Sequence, residues 1–195
     1  MNDKYTALCQ LAPEELQEVP VDAHAVTISA DGRMHEYRAG RVIPRESGMA
    51  IYIVPDVPLE TLFAVHGAID CRKPDGELFQ PGFCFTFKLR YASPSGLQAL
   101  LQAYRRSRGR MPECITLEVF YDLLTKEISA VCKEAARKFS GGQTLPYVHW
   151  WQEFSHGTAM RDALFVPLMQ AMYKYGFRLE PDSLRLAGLA GVPAL

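Results

Sequence analysis

Between Phe83 and Tyr91 every second residue is large and apolar. Phe83, Phe85, Phe87, Leu89 and Tyr91 fall on one face of an extended chain, and Cys84, Thr86, Lys88 and Arg90 on the other. A period of two is the spacing of a β-strand whose one face meets a core. Ser93-Pro94 then stops the strand, since proline has no N–H for a ladder and suits the first turn of a helix. From Ser95 to Arg106 the apolar residues Leu97, Leu100, Leu101 and Tyr104 sit at i, i+3, i+4 and i+7, which predicts an amphipathic helix. Gly109 and Pro112 end it. A second, longer helix is expected over 116–139, with Leu117, Phe120, Leu124, Ile128, Val131, Ala135 and Phe139 as its buried stripe. About 24 residues in a helix span about 36 Å.

Around this stretch the chain divides by period. Upstream, Ala25–Ser29 and Met34–Arg38 flank Asp31-Gly32 and read as a hairpin. Met49–Val54 is β-branched and apolar, and reads as a strand buried on both faces. Residues 61–72 read as a strand paired with the Phe83–Tyr91 strand through a turn at Pro74-Asp75-Gly76, with Phe63, Val65 and Ile69 inward. Cys114 is expected on a loop beside Glu113. Downstream, Ser140-Gly141-Gly142-Gln143 breaks the long helix, 147–154 is aromatic, and 158–175 is helical with a kink or restart at Pro167. Tyr175-Gly176 ends that helix, and 177–180 and 183–186 read as closing strands. The fold class expected is α+β: a β-rich N-terminal half, mostly antiparallel hairpins, packed against C-terminal helices and closing on a terminal strand. Residues 1–22 read as an N-terminal arm, 23–189 as one domain and 190–195 as a tail.

Composition narrows the function classes. The apolar share of 48% and charged share of 22% are those of a globular protein, and the net charge of −1 gives no global attraction to nucleic acid. The first residues lack the charged-then-apolar pattern of a signal peptide and no apolar run reaches membrane-spanning length, so neither is expected, and five dispersed cysteines without a CxxC pair suggest reduced thiols in the cytoplasm. His24, His35 and His66 lie on expected strands, and His149 and His156 are seven residues apart, so no metal spacing emerges. We expect no metal and no cofactor. There is no GxSxG elbow, and Cys84 and Cys132 fall inside regular elements as small hydrophobes. Gly141–Thr144 follows a helix and lacks a P-loop lysine, so it reads as a helix-ending loop. Two features remain as sites of contact. Arg105, Arg106, Arg108 and Arg110 close the first helix and offer an anion or partner contact. Tyr147, Trp150 and Trp151 offer interface aromatics, with one tryptophan assigned to the core.

The order of elements resembles the SPFH (band 7, prohibitin/stomatin-like) domain, in its soluble, virion-core-like bacterial branch. The residues that carry the likeness are Phe83–Tyr91 before Ser93-Pro94, the helix over 116–139, and Leu164–Tyr175 running into Gly176-Phe177-Arg178-Leu179. Ser93 stands where the family has Asp, and neither a membrane hairpin nor a C-terminal coiled coil is expected. The resemblance implies a non-enzymatic scaffold or adaptor that self-associates and binds an unidentified protein partner, with peripheral membrane contact as a further option. Two alternatives stand beside it. One is an enzyme with a dispersed site in the 147–157 segment, using His149 or His156 with Glu153. The other is anionic-ligand or nucleic-acid binding through Arg105–Arg110, against which the near-neutral charge weighs.

Overall fold

The computed structural model describes residues 7–190; the start of the expected arm and residues 191–195 of the expected tail lie outside the described residues. The fold is α+β, with a strand-rich first half and helices in the second. In chain order the first eight strands are β1 (Ala7–Leu11), β2 (Ala23–Ile28), β3 (Met34–Tyr37), β4 (Ala50–Pro55), β5 (Leu59–Val65), β6 (Cys71–Arg72), β7 (Leu78–Phe79) and β8 (Gly82–Tyr91). There follow α1 (Pro94–Arg108), β9 (Cys114–Thr116), α2 (Leu117–Ser140), β10 (Leu145–Pro146), α3 (Tyr147–His156), α4 (Ala159–Lys174), β11 (Phe177–Leu179) and β12 (Arg185–Ala190). No described helix is long and apolar enough to cross a membrane.

The chain forms two compact units. The first combines residues up to Leu59 with Leu89–Leu123 and Met172–Arg178. Its sheet has the order β3-β2-β4-β1-β9. The β2–β3 hairpin turns at Asp31-Gly32, with Gly32 at φ 83° as this tight reversal requires. Central β4 pairs β2 on one side and β1 on the other, which is why its apolar run is buried almost throughout. Val19, Ala25, Ile43, Ile51 and Ile53 form one core cluster. Tyr91, Phe120 and Phe177 interlock edge to face. Ser93 caps α1, its hydroxyl accepting the Gly96 N–H at 3.3 Å.

The second unit combines Glu60–Lys88 with Leu124–Ala171 and the described chain from Leu179. Phe63 stacks on Phe85 and Phe87 across the β5–β8 pair, and Phe83 meets Phe154 of α3 edge-on. This is the aromatic face that the alternation from Phe83 to Tyr91 predicts. Strand β12 runs antiparallel to β8 along the other edge.

Three local expectations are corrected, and of the kink or restart expected at Pro167 the restart does not occur. Residues 7–11, placed in an arm, form β1 between β4 and β9, because Ala7, Leu8 and Cys9 are apolar enough to bury. Cys114 is not on a loop but in β9, beside Gln10 of β1. The Pro74-Asp75-Gly76 turn closes the short β6–β7 hairpin, not β5 onto β8. Helix α4 runs through Pro167 without a restart. Proline removes one intrahelical hydrogen bond, and Leu164, Leu168 and Met172, buried on both sides of it, hold the helix together.

Candidate functional site

Segments far apart in sequence converge within the first unit on one open cavity of about 600 Å³. His24 comes from β2, Arg38 from the turn after β3, and Asp56 from the end of β4. Arg90 and Tyr91 come from the end of β8, and Arg178 from β11. The positions follow from strand register. In β2, Ala23 and Ala25 point into the core and His24 to the opposite face, and Glu36 of β3 stands opposite Val26, on the same face as His24.

The groups around His24 are charged and close. Asp56 Oδ2 lies 3.3 Å from His24 Nε2, and its Oδ1 lies 3.5 Å from Arg90 Nη1, so one carboxylate bridges the two. Glu36 Oε1 approaches His24 Nδ1 to 2.7 Å. The approach lacks hydrogen-bond alignment, and Nδ1 is left without a hydrogen-bond partner. The Tyr91 ring leans on the imidazole at 5.1 Å. Tyr91 is 6% exposed, and its hydroxyl also has no hydrogen-bond partner. Burial first, and then the nearby Glu36 charge, push its phenol far above the usual range, so it stays a neutral donor. Among the described residues, Arg38 has no acidic partner within ion-pair distance. Two unpartnered buried polar atoms beside one cavity are unusual, since such atoms are nearly always satisfied.

The residues singled out from sequence lie elsewhere. Arg105, Arg106 and Arg108 occupy the last turn of α1, where Gly109 caps the helix in a left-handed conformation; they and Arg110 are exposed. Arg108 lies 3.9 Å from Asp122. This is the dipole-complementing arrangement of a helix end. Tyr147 is half-buried against Phe79. Trp150, at 1% exposure, is a core residue and not a surface anchor, whereas Trp151 is 50% exposed. His149 and His156 are exposed, and neither has a carboxylate within ion-pair distance among the described residues. Glu153 is buried and accepts the Met160 N–H at 2.7 Å at the start of α4. The carboxylate that the dispersed-enzyme reading needs is therefore used to hold a helix end.

Cys9, Cys71 and Cys132 are buried, and burial raises each thiol to about 12. For Cys114 it is again burial, not the adjacent Glu113, that raises the value. Among the described residues no group of three or more His, Cys, Asp or Glu converges as a metal site.

Sequence reasoning missed the His24 cavity. Arg90 was visible only as the last cation on the polar face of an alternating strand, and His24 as one of several strand histidines. No protein-family model matches the chain, and no curated protein matches it significantly.

Proposed function

We propose that the protein is a binding domain whose cavity at His24 takes a small molecule carrying a carboxylate or phosphate. The observation that carries this reading is the pairing of Arg38, a cation without an acidic partner among the described residues, with the unpartnered buried hydroxyl of Tyr91 on the same cavity. Arg90 and Arg178 also line the cavity, with Asp56 and Glu36 as the carboxylates beside His24. A guanidinium matches planar carboxylate and phosphate oxygens, and a neutral phenol donates to either. A cavity of about 600 Å³ falls in the range of small-molecule sites. Calorimetric titration with inorganic phosphate and with citrate tests the reading. Arg38→Ala is expected to weaken the bound anion by about tenfold, the loss of one charge-assisted contact. No binding of either anion, or unchanged binding in that variant, overturns it.

A second reading keeps the scaffold role, with membership of the SPFH group and self-association as its content. Val148 and Trp151, three residues apart on α3 and each 50% exposed, favour it. Light scattering of the protein against Trp151→Asp decides it: an assembly that the variant dissociates supports self-association, and a monomer at high concentration removes it. A cytoplasmic location belongs to the same proposal, supported by five free cysteines.

A further inference from the structure

A second cavity, of about 370 Å³, lies within the other unit, and nothing in the anion site at His24 depends on it. One wall is a single face of α2, where Lys133, Arg137 and Ser140 follow at helical spacing. Asp70 and Gln80 line it from the chain around the β6–β7 hairpin, and Gln143 and Thr144 from the loop after α2. Trp150 completes it from α3.

Three observations about its donors coincide. The Trp150 indole N–H is buried and has no hydrogen-bond partner, although the side chain is 1% exposed. An indole nitrogen can only donate. Lys133 has no acidic partner within ion-pair distance among the described residues. Arg137 gives Nε–H and one Nη2–H to Glu134, both at 2.8 Å, which leaves its remaining N–H groups uncommitted to that pair. On the opposite side Asp70 accepts from Gln80 Nε2 at 2.8 Å through Oδ1. Among the lining residues two cations, Lys133 and Arg137, therefore stand against one carboxylate, Asp70.

The glycine loop does not supply the site. Gly141, Gly142 and Gln143 give their backbone N–H groups back to Lys138, Arg137 and Ser140 carbonyls, so the loop ends the helix and does not cradle a phosphate. We infer that this cavity is a second binding site, for a small oxyanion-bearing ligand, with Lys133 supplying the charge and the Trp150 indole N–H the orienting hydrogen bond.

The two tryptophans of the chain make the test direct. In a ¹⁵N–¹H correlation spectrum they give two indole signals, and the exposed Trp151 is assigned by Trp151→Phe. Inorganic phosphate and acetate are titrated separately into the full chain, so that the source of the oxyanion is identified by which of them acts. The Trp150 indole signal is expected to shift saturably with at least one of them. Lys133→Ala, on an exposed position that leaves the core intact, is expected to weaken the response by about tenfold. Arg38→Ala, at the other cavity, is expected to leave it unchanged. Absence of a Trp150 shift with both anions overturns the inference. So does a shift that persists in Lys133→Ala, or one that Arg38→Ala abolishes, since the last assigns the response to the His24 cavity.

Discussion

Two buried phenols of the first unit differ in whether the hydroxyl is hydrogen-bonded. Tyr52 gives its hydroxyl to the Pro112 carbonyl at 2.9 Å, while that of Tyr91 has none. Leaving a buried hydroxyl unbonded costs about 1–3 kcal/mol, so Tyr52→Phe and Tyr91→Phe should behave oppositely. Tyr52→Phe strands a carbonyl and should lose about 1 kcal/mol in urea denaturation. Tyr91→Phe should keep full stability or gain, while weakening anion binding at the His24 cavity. A Tyr91→Phe variant that loses stability as Tyr52→Phe does would show that the hydroxyl is structurally bonded. The thiols make a second residue-scale prediction. Burial pushes the Cys9, Cys71 and Cys132 thiols up to about 12 in the folded chain from an ordinary value of 9.0. Above about pH 9 the unfolded chain releases protons that the folded chain keeps. Stability from these groups is therefore fully present below that pH and declines as pH rises toward 12. At pH 8 a thiol reagent should label Cys84 and Cys114, which are partly exposed, and reach the other three only on unfolding.

At the scale of elements, one backbone contact holds the junction of α1 with the turn after α4. A Cβ on Gly96 would overlap the backbone N and Cα of Gly176, and Gly176 itself sits at φ 87°. The Ala92 N–H reaches the Gly176 carbonyl at 2.8 Å across the same contact. Backbone cannot yield as a side-chain tip can, so Gly96→Ala should cost about 1–3 kcal/mol, read as a fall in the urea midpoint. Ser93→Ala, which removes only the α1 cap, should cost about 1 kcal/mol. These elements were legible in the sequence because their signals are local: the alternation of Phe83–Tyr91, the Ser93-Pro94 start and the apolar stripes of α1 and α2 each follow from a few neighbouring residues. Strands β1, β9 and β10 were not. Each is five residues or fewer, and each becomes a strand only because a distant partner supplies its hydrogen bonds.

For the whole molecule the same distinction separates fold from site. The arginines that sequence brought forward are neighbours in the chain and cap a helix; those lining the His24 cavity, Arg38, Arg90 and Arg178, are brought together by strand pairing. No periodicity marks such residues, and a net charge of −1 conceals them. That charge also decides what binding should look like. A protein without a global positive field gains little from long-range steering, so association with an anion should depend on the local cavity and only weakly on ionic strength. A nucleic-acid binder releasing several counterions would instead lose orders of magnitude in affinity between low and moderate salt. The quantity to measure is the thermal midpoint with phosphate or citrate at fixed salt. A ligand that binds only the folded chain stabilises it by RT ln(1 + [L]/Kd), about 2.7 kcal/mol at a hundredfold excess over Kd. Wild-type protein should show that rise at both low and moderate chloride, and Arg38→Ala, binding about tenfold more weakly, should lose about half of it at equal ligand concentration. A rise of the same size in Arg38→Ala, or one that vanishes with modest added chloride, would mean that the anions act on the surface as a whole, and the cavity would lose its standing as the site.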